Sequence, residues 1–343
     1  MPTILFTGQH SSLRPAEHGL EIYPAACLHC PGADDPHLYV GTVSKLLARL
    51  LSTERPSLVV VQGDTASALG GALAANFNGI PVAHVEAGLR SHDLRRPWPE
   101  EEFRIAIDRE SALLFAPTEL SAANLRRERV KGQVHVTGNS GIDAVIGFRD
   151  SDCAGKGAGP PRLLVTCHRR ENWGDGLCGV AAALTQVSNE AIARIDVLLH
   201  PNPALSAAVR QLLLPARDIR FREACGHSAT IAAMRESSLV LSDSGGIQEE
   251  AATLGVPMLV LRDKTERPEA IASGNIELVG TDPERIVKAV RRRLSAPSPV
   301  PSLPFGDGRA GERIAAIIAG WLAHRDEISR AGDFPEAARR ANA

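Results

Sequence analysis

The sequence predicts an α/β protein built as two parallel sheets, each covered by helices. Three observations carry this. Short apolar runs alternate with helical segments along the chain. The alternation is interrupted at residues 149–161, RDSDCAGKGAGPP, a polar Gly- and Pro-rich linker, and then restarts. The length, 343 residues, is that of two ordinary domains. Strands alternating with helices argue for parallel sheets, because each helix returns the chain to the starting end of the next strand.

In chain order, Ile4 to Phe6 is the first strand, running into Thr7-Gly8-Gln9-His10. A Gly- and Pro-rich section follows to about His37, and apolar spacing makes Leu38 to Leu51 helical. Leu58 to Val61 is a continuous apolar run, the pattern of a strand buried on both faces. Ala66 to Phe77 is a helix of small residues, and Pro81 to Val85 is the next strand. A polar loop with Trp98-Pro99-Glu100-Glu101 leads into a helix through Arg104 to Ser111. Trp98 is expected to be a packing anchor. Strands at Leu113 to Ala116 and Val134 to Val136 flank a helix near Ser121 to Glu128. After the linker, strands are predicted at Arg162 to Thr166, Ile195 to Leu199, Ile219 to Phe221, Leu239 to Leu241 and Met258 to Leu261, with a helix at Cys178 to Gln186. Ala296 to Pro304 is Pro-rich and reads as a crossover. The last helix, about Gly311 to His324, places Ile314, Ile317, Ile318, Trp321 and Leu322 on one face.

Composition bounds the function. The hydrophobic fraction of 44% is that of a globular protein with real cores. A net charge of -2 argues against a broad basic surface for nucleic acid. The absence of a long apolar run or a signal-peptide pattern predicts a cytoplasmic protein with no membrane partner. Cys27 and Cys30 form a C-x-x-C, but no second pair stands at usable spacing, so reduced thiols are expected and no metal.

The chain is organised around LVLSDSGGIQEEAATL, residues 239–254. It reads as a strand, a tight turn from Ser242 to Gly246, and a helix from about Ile247, ended by Gly255 and Pro257. Such a turn gathers free backbone N–H groups at the positive end of a helix dipole, a setting that favours phosphate. Ser244 adds a hydroxyl donor, and Gly245 and Gly246 let a ligand approach the backbone. Glu249 and Glu250, in the first turn, could hold sugar hydroxyls. A capped unit with no ligand is the plainer alternative.

Ligands of open α/β sheets bind beyond the carboxyl ends of the strands. Asp64, Glu86, His168, His200 and Asp243-Ser244 all fall there. Each has a structural alternative: Asp64 could cap the helix after it, Glu86 could pair with Arg90, Glu100 and Glu101 could simply begin a helix, and His168 could be a satisfied core histidine. Five such strand ends are harder to explain by capping, and two facing domains would gather them in one cleft.

VVQGDT at 60–65, HVEAGLRS at 84–91, WPEE with Arg104, TCHRREN at 166–172, DSGGIQEEA at 243–251 and RDKTERPE at 262–269 together resemble the non-hydrolysing UDP-N-acetylglucosamine 2-epimerases. The likeness runs from about Phe6 to the final helix. It implies a glycosyltransferase-B-like fold: a Rossmann-like domain over residues 1–150, a UDP-binding one over 160–305, and a helix near 310–325 that crosses back. It implies interconversion of UDP-GlcNAc and UDP-ManNAc without a cofactor, by anti elimination of UDP to 2-acetamidoglucal and re-addition. It also implies a homodimer. Residue by residue, Asp64, Glu86 and Glu100 would be the carboxylates of proton transfer or its support, with base and acid unassigned. His168 and Arg169 would stabilise the departing diphosphate. Ser244, Gly245 and Gly246 would hold phosphate oxygens, Glu250 the ribose, and Arg267 a charge near the nucleotide; His200 stands with the substrate-binding set. Another UDP-HexNAc enzyme on this fold, hydrolase or glycosyltransferase, and a non-catalytic UDP-sugar-binding paralogue are the alternatives.

Departures from the family pattern concentrate at the start. Members open with a strand and a GTRPE-type turn before the strand that ends in an AQH-like motif. Thr7-Gly8-Gln9-His10 matches the second motif, and the distance from His10 to Asp64 suits it. In this register the first βα unit, with its diphosphate-gripping Arg and Lys, is missing and the first sheet should contain a gap. In the other register Ile4 to Phe6 is the first strand and Leu13-Arg14-Pro15-Ala16-Glu17 replaces GTRPE. Ser11-Ser12-Leu13 differ from the residues that help form a regulatory site in bacterial members. Phe103 replaces the family's Asn, and no uracil-stacking aromatic stands in Cys225 to Ala233.

Overall fold

The computed structural model describes residues 2–9, 25–149, 159–167 and 172–332. In the first half, strand β1 (Ile4–Phe6) pairs parallel with β2 (Ala25–Cys27) as a separate two-stranded sheet. β2 lies within the Gly- and Pro-rich section; three strand residues between Pro24 and Pro31 give too little periodicity to announce a strand. Helix α1 (Pro36–Glu54) starts on Asp35, whose carboxylate accepts from the His37 and Leu38 amides, with Pro36 in the first turn, where no amide is needed. A second sheet has the order β3 (Val59–Gln62), β4 (Val82–Val85), β5 (Leu113–Ala116), β6 (Gln133–Val136), all parallel. The helices α2 (Ala66–Phe77), α3 (Glu100–Glu110) and α4 (Glu119–Arg127) connect these strands, and α5 (Ser140–Arg149) follows β6.

The small residues of α2 are explained by its neighbour. A Cβ on Gly70 would meet Val43 of α1, so the two helices pack at close range over an apolar cluster that includes Val40, Leu47, Leu69, Ala72, Phe103 and Ile107.

In the second half, the described strands form one parallel sheet: β7 (Arg162–Thr166), β8 (Arg194–Leu198), β9 (Ile219–Arg222), β10 (Leu239–Ser242), β11 (Met258–Val260) and β12 (Ile276–Leu278), in the order β12-β11-β10-β7-β8-β9. The helices α6 (Asp175–Asn189), α7 (Pro203–Leu212), α8 (His227–Glu236), α9 (Gly245–Leu254), α10 (Pro268–Ala272) and α11 (Pro283–Ser295) cover it. α9 begins at Gly245, two residues ahead of the expected start, because glycine tolerates the first turn without a side chain to place. It ends at Gly255 in the left-handed region, φ 67°.

The final helix, α12 (Ala310–Gly332), runs further than its sequence periodicity indicates. Ile314, Ile317, Ile318 and Trp321 do form one face, and that face packs on Ala83, Val85, Leu113 and Phe115 of the first half. Asp143 of α5 fixes its start by accepting from the Ala310 and Gly311 amides at 3.0 and 2.7 Å. The chain thus crosses back to the half in which it began. This is a glycosyltransferase-B-like arrangement. Of the predicted linker, residues 150–158 lie outside the described residues, and Arg149 belongs to α5.

Among the described residues, the first sheet has an open edge at β3. β3 is bonded to β4 on one side, and among the described residues no strand pairs with its other edge. Val60, in the middle of an apolar run that reads as doubly buried, is 52% exposed there. β1 is tied to the neighbourhood of β3 by side chains instead: Ser67 at the start of α2 bonds Thr7 Oγ1 at 2.7 Å and Gln9 Oε1 at 2.6 Å. Among the described residues no helix is long and apolar enough to cross a membrane.

Candidate active site in the cleft between the two halves

Asp64 leaves β3 through Gly63, whose φ of 68° suits glycine. Asp64 does not cap α2. That role belongs to Thr65, whose hydroxyl accepts from the Ala68 amide at 3.1 Å. The Asp64 carboxylate is instead gripped by the Arg104 guanidinium, through Nε at 3.1 Å and through a closer NH2 contact. Arg104 is buried, and its NH1 donates to Glu101 at 2.9 Å. Glu101 in turn accepts from the backbone amides of Ser91 and His92. The two glutamates of WPEE therefore part company. Glu101 is a buried scaffold for Arg104 and the 91–92 loop. Glu100 lines an open cavity of about 290 Å³ together with Asp64, Gln9, Thr65, Trp98 and Phe103. Trp98 is not a buried anchor: it is 49% exposed at that rim, tilted against His37 with ring centres 5.8 Å apart.

Glu86 follows β4 with φ 72°, a left-handed backbone that an L residue adopts at a cost of about 1–2 kcal/mol. The turn is held by a buried network that sequence reading passed over. His84 Nε2 donates to the Gly63 carbonyl at 2.9 Å, and Nδ1 faces Asp108 at 2.7 Å. Asp108 also accepts from the Gly88 amide and from Arg90, which continues to Glu128. Burial works against the Asp108 carboxylate, but His84 and Arg90 outweigh it and hold it below the usual carboxylate range. Histidine and aspartate 24 residues apart gave no spacing signal. The network locks the Asp64 turn to the Glu86 turn: a Cβ added at Gly63 would stand 3.2 Å from Glu86 Oε2.

Arg90 is thus occupied, and Glu86 pairs across the cleft with Arg267, whose NH2 donates to Oε1 at 2.8 Å. Burial pushes the Glu86 carboxyl above its usual value, with Arg267 opposing and Asp64 reinforcing. The remaining Arg267 nitrogens meet Glu249 (Nε, 2.5 Å) and Glu266. A Cβ on Gly245 would collide with the Arg267 guanidinium, so this glycine makes room for an arginine as well as for any ligand. Gly246 has open space around it and is exposed, and Ser244, the residue before α9, is partly exposed. These two present the helix N-terminus to the cleft.

Asp243 serves inside the sheet. It accepts from Asn172 Nδ2 at 2.9 Å and from Cys167 Sγ at 3.4 Å, so both residues flanking 168–171 are tied to one carboxylate. Burial and Asp243 push the Cys167 thiol well above its ordinary value. His168 and Arg169 themselves lie outside the described residues. His200 is at the end of β8, but its ring serves its own turn, accepting from the Asn202 amide at 2.9 Å. Glu250 is partly exposed and pairs with His227 Nε2 at 2.8 Å, a bond that raises the His227 pKa despite partial burial.

Two parallel α/β halves, with a helix N-terminus on one side of the cleft and a set of carboxylates on the other, define a class: proteins of glycosyltransferase-B-like fold. Comparison narrows it. The family profile described as UDP-N-acetylglucosamine 2-epimerase matches residues 1–319, and the chain belongs to that family. The UDP-N-acetylglucosamine 2-epimerase of Salmonella typhimurium is 39% identical over 296 residues, covering 80% of this chain and 78% of that one. The Escherichia coli K12 enzyme of the same name is 38% identical over 292 residues, 79% of this chain and 78% of that one. Among solved structures, UDP-GlcNAc 2-epimerase from Neisseria meningitidis bound to UDP-GlcNAc superposes with a TM-score of 0.82 at 30% identity, covering 92% of this chain and 91% of that one. The Methanocaldococcus jannaschii UDP-GlcNAc 2-epimerase in complex with UDP-GlcNAc and UDP gives 0.79 at 34%, covering 89% and 86%.

Proposed function

We propose that this protein interconverts UDP-GlcNAc and UDP-ManNAc by eliminating UDP and adding it back. The observation that supports the reading is that Asp64 and Glu100 line one cavity, while Glu86 lies beside the Gly63 turn that precedes Asp64 and is bonded to Arg267, which packs on Gly245 of the β10–α9 turn. A base removes the proton from C2 of the sugar. The C–H electron pair becomes the C1=C2 bond, the C1–O bond breaks, and its electrons leave on the β-phosphate of UDP. In the return, a UDP oxygen attacks C1 while a proton is delivered to C2 from the opposite face. Two carboxylates on the two sides of the ring supply both transfers when one of them is kept partly protonated. Burial of Glu86 acts in that direction.

Ser244, Gly245 and Gly246 receive the diphosphate through the amides of the first turn of α9, where a developing negative charge is stabilised most. His168 and Arg169 add positive charge to the leaving group, and Glu250 takes the ribose hydroxyls, exchanging its bond to His227 for them. Arg267 acts from behind Glu86. No cofactor is needed, because the oxidation level of the sugar does not change. We place the enzyme in the cytoplasm as a homodimer; light scattering of the purified protein checks the second point.

Proton NMR of UDP-GlcNAc with enzyme in D₂O tests the reaction. Deuterium at C2 and a UDP-ManNAc signal are expected. UDP binding without exchange would reject the epimerase reading in favour of a UDP-sugar-binding protein, and free sugar would point to a hydrolase. Glu100→Gln is expected to lower C2 exchange by about 10²-fold or more while leaving UDP affinity unchanged; loss of folding instead would make its role structural.

A further inference from the structure

Glu249 and Glu86 come from opposite halves, yet they share the same two donors. Arg267 gives Nε to Glu249 at 2.5 Å and NH2 to Glu86 at 2.8 Å. Asn139 Nδ2 lies 2.5 Å from Glu249 Oε2 and 3.4 Å from Glu86 Oε1. The Asn139 amide cannot turn away, because its Oδ1 accepts from the Gly141 amide and its backbone N–H is bonded to the Phe305 carbonyl. Two carboxylates held on one guanidinium edge and one amide form a pair in which ionising one opposes ionising the other. Their exposures differ: the Glu249 side chain is 3% exposed, that of Glu86 18%. Only the second reaches the cleft.

We propose that Glu249 is a positioning residue for Glu86: by taking one edge of the Arg267 fork and sharing Asn139, it keeps Glu86 from being locked as a permanent carboxylate and leaves it able to carry a proton. The inference rests on the reading of Glu86 as a proton-transfer group. Without Glu249, Arg267 would bind Glu86 bidentately, a geometry that strongly favours the ionised form. The charge balance around the pair agrees. Arg267 also serves Glu266, so one guanidinium faces three carboxylates, and burial pushes Glu249 up to about 7 with Glu86 adding to the shift. The other charged groups acting on Glu86 are Asp64 after β3, Arg104 on α3 and His84 on β4. On α9 itself, Glu250 is paired with His227 of α8. Of the charged groups named, Arg267 is bonded to both carboxylates.

The test uses the full-length protein and two readouts. The pH profile of C2 deuterium exchange is measured for the wild type, Glu249→Gln and Glu249→Asp. In Glu249→Gln the limb belonging to Glu86 is expected to move to lower pH by about one unit, a tenfold change in proton affinity, with KM for UDP-GlcNAc unchanged; Glu249→Asp restores the limb toward the wild-type position. A uniform fall in rate with no shift of the limb would overturn the proposal. Carbon-13 titration of the glutamate carboxyls gives the second readout and needs no activity: the Glu249 titration should move to lower pH in Glu86→Gln. Independent titration of the two residues would overturn the proposal even if the enzyme epimerises. Conversely, coupled titration in a protein without C2 exchange would uphold the pair and reject the catalytic reading of Glu86. If Glu249→Gln does not fold, the Glu249→Asp profile and the Glu86→Gln titration decide.

Discussion

The two halves use the same strand–helix repeat but hold their functional turns by different means. In the second half six strands are continuous, and the β10–α9 turn grows from a strand paired on both sides, with β7 and β11. Hydrogen bonds of the ladder fix where that turn sits. In the first half the described strands form one sheet of two and one of four, and Asp64 leaves from β3, bonded on one side among the described residues. There the turns are fixed by side chains: Arg104 on Asp64, His84 and Asp108 between the Gly63 and Gly88 turns, Arg267 on Glu86 from across the cleft. Where a backbone ladder is incomplete, buried ion pairs carry the positional information. They also leave the carboxylates they hold open to titration, which a ladder would not do.

This contrast can be broken most forcefully at Asp108. Asp108→Ala removes the shared partner of two buried groups, His84 and Arg90. It is expected to destabilise the protein by about 3–5 kcal/mol, because buried His84 loses its carboxylate partner and buried Arg90 keeps only Glu128; urea unfolding measures it. A loss below about 1 kcal/mol would mean that side chains are not what holds these turns.

Acidity gives the next effect. Burial pushes the Glu249 carboxyl up from the ordinary value of 4.5 to about 7. A carboxyl raised in this way binds its proton more tightly when folded, so the stability it contributes is greatest at the acid side of that window and is lost as pH rises from about 4.5 through 7. Asp108 has the opposite sign. Its depressed folded pKa contributes stability that is present above the ordinary value of 3.8 and lost as pH falls through its folded value. Unfolding free energy is therefore expected to rise, on the order of 2 kcal/mol, between pH 8 and 5 and to fall again below about pH 4. Glu249→Gln should flatten the first slope and leave the second.

The smallest effect sharpens the comparison of the strands. Val240→Thr buries a hydroxyl inside the continuous sheet, where the side chain is fully covered, and should cost about 1–3 kcal/mol. Val60→Thr, at the open edge of β3, should fall within about 0.5 kcal/mol. Equal losses at the two sites would show that the β3 edge is covered in solution.

Sequence by itself determined the parallel α/β class and nearly every strand before Met258. The reason is that doubly covered strands must be continuously apolar, and their carboxyl ends are where polar residues can emerge. Asp64, Glu86 and the Ser244–Gly246 turn were legible for that reason, as was the apolar face of α12. What the tertiary structure decided is which charge meets which. Glu86 is followed closely by Arg90, yet it pairs with Arg267, 181 residues away. Glu100 and Glu101 are neighbours, yet one borders the cavity and the other is buried beneath Arg104. His84 gave no sign, and Glu249, which read as a residue for sugar hydroxyls, is instead buried on Arg267, because a polar residue within an apolar strand or helix cannot be placed until its partner is known. Periodicity is a property of one segment, whereas an ion pair across a cleft depends on how two separate sheets face each other.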